Sequence, residues 1–210
     1  MKKSVLKMLA GLALVVSTSS LAQATTIDFD TLPDGSMLAE HSVLTNQYAT
    51  WGVTFSGVEN GQAVPTYVDT YWGTSPAGGN YWSNGLPDNQ DNWGPERRDS
   101  LIISFSTLAS GIGFDFFNSQ GGSAVTANFY GAGSNLLGTE QITTMNWETV
   151  SFPYEDVSYL ELLQPYDTWF FNMDNLNYTS AAAVPEPSTF ILFGAGLAGA
   201  ALLRRRNRKA

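Results

Sequence analysis

Tyr71, Trp72, Tyr81, Trp82 and Trp93 all fall within residues 59–100, among Asn60, Asn80, Asn84, Asn89, Asn92, Asp69, Asp88 and Asp91. Flat rings beside amides and carboxylates are the chemistry of sugar recognition. A ring covers the C–H face of a pyranose while the polar groups take its hydroxyls. The stretch is longer than an ordinary connection, and its aromatic content argues for packing rather than disorder. The same rings could equally plug one end of a β domain, because a long loop buries itself through its aromatics. Within it, residues 88–94 (DNQDNWG) invite comparison with a calcium-binding EF-hand loop, but the sixth position is Trp93 and the twelfth Asp99, so that template fails.

Other chemistries are excluded by inventory. The 210 residues include no Cys, which removes thiol catalysis, disulfide scaffolds and Cys-ligated metal sites. His41 is the only histidine and no G-x-S-x-G elbow occurs, so His41 reads as a surface or capping residue rather than a triad member. Gly111-Ile112-Gly113 lies in an expected strand and Gly131-Ala132-Gly133 in an expected hairpin turn, so neither is a phosphate-binding loop. Pairs of carboxylates suited to glycoside hydrolysis are too plentiful to be informative. Basic residues cluster at the two ends. Between Asp28 and Asp174 only Arg97 and Arg98 face 18 carboxylates, a balance of −16 that argues against nucleic acid as a partner. Arg97 and Arg98 adjoin Glu96 and Asp99, as a clamp for an anionic sugar or as local ion pairs.

These residues must be held by an all-β body. Short β-branched and aromatic runs at 26–30, 52–57, 101–106, 111–117, 124–130, 135–139, 148–153, 158–163 and 169–177 are separated by Gly, Asn, Asp, Ser and Pro. Nine short strands predict a β-sandwich or jelly roll. Only residues 42–50 suggest a helical turn.

The two ends read as addresses. Residues 1–24 carry Lys2, Lys3 and Lys7, an apolar run and Ala22-Gln23-Ala24, the three parts of a secretory signal peptide cut by signal peptidase after Ala24. The body is then expected at 25–179, followed by a small-residue linker at 180–184. Beyond it come Pro185-Glu186-Pro187, a transmembrane helix at 188–203, and Arg204, Arg205 and Arg206, which place the C-terminus in the cytoplasm.

A Pro-Glu-Pro motif, one brief apolar helix and a terminal arginine cluster resemble the PEP-CTERM sorting signal of Gram-negative exported proteins, also known as the ice-binding protein C-terminal domain. The resemblance implies recognition of Pro185, Glu186 and Pro187 by exosortase. It also implies a transient inner-membrane hold, with Arg204–Arg206 as the stop-transfer element, and then delivery to the cell envelope or extracellular matrix. A permanent tail anchor is the alternative. No repeated Thr or Ser ladder accompanies it, so ice binding is not expected. The body also resembles the extracellular domains that precede this signal, jelly rolls related to carbohydrate-binding modules, through Ile27-Asp28-Phe29-Asp30, residues 48–55 and Asp174-Asn175-Leu176. That resemblance implies a structural Ca²⁺ joining the first and last strands, with Asp28, Asp30 and Asp174 as its candidate ligands. No cofactor is required. The expectation is a non-enzymatic structural, adhesive or glycan-binding protein with exopolysaccharide as a candidate partner. A secreted polysaccharide-active enzyme and a permanently anchored periplasmic protein are the alternatives.

Overall fold

Alternation of buried apolar and outward polar residues builds most of this body. In a computed structural model, described over residues 23–70, 79–83, 99–118, 124–163 and 170–180, Ala22–Ala181 form one compact unit. The strands are β1 Gln23–Ile27, β2 Val43–Leu44, β3 Val53–Glu59, β4 Gln62–Val64, β5 Thr66–Asp69 and β6 Tyr81–Ser83. They continue with β7 Ser100–Asn118, β8 Val125–Tyr130, β9 Leu136–Ile142, β10 Glu148–Ser151, β11 Val157–Leu163 and β12 Phe171–Ser180. The all-β, sandwich-like architecture is as expected. Residues 1–22 of the expected signal peptide, the helix at 188–203 and the motif before it lie outside the described residues, whereas Gln23 and Ala24, which precede the expected cut, begin β1 opposite Ser180 and Thr179. Among the described residues no helix is long and apolar enough to cross a membrane.

The runs expected at 101–106 and 111–117 form a single strand, β7, that serves both layers. Its first part pairs with β3 (Val53↔Phe105 to Val58↔Ser100) and with β11 (Tyr159↔Ser104 to Leu163↔Ser100). Its second part pairs with β12 (Phe171↔Asn118 to Ser180↔Ala109) and β10 (Glu148↔Phe116 to Ser151↔Gly113). Gly111 lies in the second part with φ +58, a conformation that glycine adopts without strain. One layer therefore runs β4-β3-β7-β11-β8-β9 and the other β2-β5-β6-β12-β7-β10, with β1 added along β12.

Aromatic side chains fill the space between the layers. Phe152 lies 4.7 Å from Phe129 on β8 and 5.3 Å from Phe114 on β7, measured between ring centroids, and Phe55 on β3 meets Trp82 on β6 at 4.8 Å. Burying such rings is the largest favourable contribution available to a chain without disulfides.

Three local departures from expectation have physical causes. Asn60 and Gly61 both take positive φ and close a two-residue turn, so β4 folds straight back on β3 inside the stretch read as irregular. Residues 42–50 give β2 and then a 3₁₀ turn at Ala49–Trp51 rather than a helical segment alone. β1 stops at Ile27 because Asp28 Oδ1 accepts the backbone N–H groups of Asp30 (3.1 Å) and Thr31 (2.9 Å), turning the chain out of the strand. The turn expected at Gly131–Gly133 is present, closed by Gly131 N–H donating to Asn135 O.

Candidate functional site

The outward face of β8, β9 and β11 gathers rings, amides, hydroxyls and a carboxylate. On β8, Val125, Ala127 and Phe129 point into the core, which turns Thr126, Asn128 and Tyr130 outward. On β11, Leu160 and Leu162 are buried while Tyr159, Glu161 and Leu163 are half-buried on the other face. An irregularity between Val157 and Tyr159 lets both Val157 point in and Tyr159 point out. The register then sets Tyr159 opposite Tyr130 and Glu161 opposite Asn128.

The two tyrosine rings stack with centroids 4.4 Å apart and planes 13° from parallel. Glu161 Oε2 accepts from Asn128 Nδ2 and from the Tyr130 hydroxyl, both at 3.4 Å. These lie at the outer limit of hydrogen bonding, so a ligand hydroxyl at about 2.7 Å would compete well for the carboxylate. Thr139 on β9 donates to Asn128 Oδ1 at 2.9 Å, and Gln141 Nε2 donates to Thr126 Oγ1 at 2.9 Å. Burial, then the charge of Glu161, holds the Tyr130 phenol above its ordinary range, so it is a neutral donor at physiological pH. Donors and acceptors thus stand beside flat apolar surface, as a polyhydroxylated ligand requires.

On the other side of β9 an open groove of about 400 Å³ lies against β10, with Glu140, Glu148, Val150 and Phe152 among its lining residues. Tyr154 donates to Glu140 Oε1 at 2.9 Å, and that bond is the main cause of its phenol being raised above the usual value. Its ring stacks on Phe129 and lies so close to Gly138 that a Cβ there would fall 2.2 Å from a ring carbon.

Two of the five aromatics expected to form a sugar platform, Tyr81 and Trp82, are core residues instead. Trp82 has no exposed surface and packs against Phe55 and Phe29 in the core. Tyr81, on the opposite face of β6, is also fully buried and faces Trp147 at 5.9 Å. Neither ring can stack on a ligand, because β6 is paired on both sides, with β5 and β12, and covered on both faces. Tyr71, Trp72 and Trp93, like Arg97 and Arg98, lie outside the described residues. Asn80, buried beside Tyr81, ties the chain down instead, its Nδ2 donating to Phe29 O (3.1 Å) and Leu38 O (2.9 Å).

Asp28, Asp30 and Asp174 share one neighbour rather than one ligand point. Burial first, then the charges of all three, push the Tyr48 hydroxyl far above its ordinary value, and this buried hydroxyl has no hydrogen-bond partner. Each carboxylate serves a backbone N–H: Asp28 as above, Asp30 from Asn80 (2.8 Å), and buried Asp174 from Asn175 (2.7 Å). Their oxygens do not gather within 4.8 Å of one another, a spacing that among the described residues is met by Glu40, His41 and Asp69. The Tyr130–Tyr159 pair was not singled out from sequence, although the alternation of β8 and of residues 158–163 marks both rings as outward.

Residues 183–206 match the PEP-CTERM protein-sorting motif, spanning Pro185, Glu186 and Pro187 as well as Arg204–Arg206. This is a protein that carries a PEP-CTERM sorting signal, the mark of an exported chain sorted to the cell envelope. No curated protein matches the chain. Among solved structures it is similar to a family two carbohydrate esterase from Cellvibrio japonicus, with 13% identity and a TM-score of 0.38 over 80% of this chain and 36% of that one. It is also similar to the CBM22-1–GH10 modules of an endo-1,4-beta-D-xylanase from Clostridium thermocellum, complexed with xylohexaose (10%, TM-score 0.42, 76% of this chain and 28% of that one). A third is a family 29 carbohydrate-binding module from Piromyces equi (8%, TM-score 0.35, 80% of this chain and 97% of that one). The chain spans about a third of the first of these and less of the second, and no activity passes from any of them to this chain.

Proposed function

We infer that this protein is an exosortase substrate, held briefly in the inner membrane with its C-terminus cytoplasmic and then delivered to the envelope or extracellular matrix. There its body binds glycan without catalysing a reaction. The observation that carries the binding role is the stacked Tyr130–Tyr159 pair beside Asn128 and Glu161 on an outward sheet face. Exopolysaccharide of the host is the partner that this location would offer.

The test is binding of oligosaccharides released from host exopolysaccharide to the full-length chain in a non-glycosidic detergent. Tyr159→Ala is expected to weaken binding about fivefold or more, the loss of one well-placed aromatic contact, with little change in Tm because the ring is not in the core. Equal binding by the variant removes the assignment. A polysaccharide-active enzyme is the second reading, favoured only by Glu140 and Glu148 lining one groove. Release of new reducing ends, abolished by Glu148→Gln, would establish it in place of the first.

A further inference from the structure

The antiparallel pairing of β2 with β5 brings together three metal-ligating side chains separated by up to 29 positions in sequence. Val43 pairs with Tyr67 and Leu44 with Thr66, and Val68 N–H donates to Ser42 O at 3.1 Å. Just before this pairing the chain leaves His41 beside Asp69 and Glu40 beside Thr70. Glu40 and His41 sit in the middle of a turn closed by Ser42 N–H donating to Ala39 O, and His41 takes φ +59 there. Glu40 Oε1, His41 Nε2 and Asp69 Oδ1 all lie within 4.8 Å of one another.

Two of the three donor separations match those expected around a shared cation. His41 Nε2 stands 3.5 Å from Glu40 Oε1 and 3.5 Å from Asp69 Oδ1. An imidazolium clamped between two carboxylates would draw at least one of them to about 2.8 Å. Two ligands of one tetrahedral ion, with metal–nitrogen and metal–oxygen bonds of about 2.1 Å, are instead separated by roughly 3.4 Å. Around these donors, the Thr70 hydroxyl donates to Glu40 Oε1 and the Thr70 N–H to Asp69 Oδ1 at 2.7 Å, so both carboxylates are oriented by the residue that follows β5. The His41 and Asp69 side chains are 30% and 18% exposed, so solvent ions reach them.

The geometry points to a binding site for a first-row divalent transition metal, with Zn²⁺ as the type ion, at Glu40, His41 and Asp69. Imidazole nitrogen with two carboxylate oxygens is a borderline donor set, unlike the all-oxygen set that Ca²⁺ takes. Water completes the coordination. The site staples β2, an edge strand of only two residues, to β5. It lies on the opposite layer from the Tyr130–Tyr159 face and does not depend on the glycan-binding reading.

Because His41 is the only histidine, its ring protons report on the site without ambiguity in an untagged chain. One equivalent of Zn²⁺ added to the full-length protein in detergent is expected to shift the His41 ring signals in ¹H NMR, and to raise Tm by roughly 5–10 °C at hundredfold excess over Kd. A hundredfold excess of Ca²⁺ should leave those signals in place. His41→Asn, which tolerates positive φ, and Asp69→Asn should each weaken Zn²⁺ binding at least tenfold. Unmoved ring signals, equal shifts with Ca²⁺, or undiminished Zn²⁺ affinity in His41→Asn would each overturn the assignment. The native ring signals decide the matter even if a variant fails to fold.

Discussion

Replacing Gly79 with Ala tests whether Asp30 is a fastener of the fold. A Cβ on Gly79 would stand 2.2 Å from Asp30 Oδ2, 2.4 Å from Oδ1 and 2.6 Å from the carboxyl carbon. Ordinary contact begins near 3.5 Å, so the carboxylate must retreat by about 1.3 Å. That movement breaks its bond to Asn80 N–H, now 2.8 Å, which joins the segment after β1 to the entrance of β6. A hydrogen bond to a charged acceptor contributes about 1.5–3 kcal/mol, and because Asp30 is only half-buried the lower end applies, about 1–2 kcal/mol. In a body of this size that lowers Tm by roughly 2–8 °C. The assay is a thermal-denaturation cycle of Gly79→Ala, Asp30→Ala and the double variant. If the clash is the cause, Gly79→Ala should cost almost nothing once Asp30 is already Ala. Additive losses would refute the reasoning, as would a Gly79→Ala protein as stable as the native one.

Further outcomes follow from the same geometry. Tyr48→Phe removes a buried hydroxyl without a partner and should leave denaturant stability unchanged or raise it by up to about 1 kcal/mol; a clear loss would mean that the hydroxyl is engaged by a bound group linking it to Asp28, Asp30 and Asp174. The phenols of Tyr48, Tyr130, Tyr154 and Tyr178 are all raised in the folded state. Their stabilising contribution is therefore complete below about pH 10 and is lost as pH rises through the folded values. Unfolding midpoints should fall between pH 10 and 12, and midpoints that rise there would contradict this. Mass mapping of the mature protein should find termini at Thr25 and near Pro185–Pro187. Since β12 ends at Ser180, release should leave Tm nearly unchanged; retention of residues 189–203 would indicate a lasting anchor.

The alternation of Val125, Ala127 and Phe129 with Thr126, Asn128 and Tyr130 is legible because one face of β8 meets the core and the other meets water. β6 has no such pattern. Tyr81, Trp82 and Ser83 are buried in succession, since the strand is paired at both edges and covered on both faces. Its aromatics therefore read as ligand platform when they are core. The same limit hid the continuity of β7, where Thr107–Ser110 carry no strong strand signal yet Ala109 is paired with Val157 on one side and Ser180 on the other.

Residue order and type alone determined the sorting signal and the all-β class, and the lack of Cys ruled out thiol chemistry, because these depend on local pattern and inventory. Tertiary structure decided which side chains meet. Tyr130 stacks on Tyr159 through strand register, and Glu40 and His41 face Asp69 through the pairing of two short strands. Trp82 is withdrawn from solvent by Phe29 and Phe55, residues far from it in sequence. Contacts of that range are set by how the two layers close over one core, which no local pattern encodes.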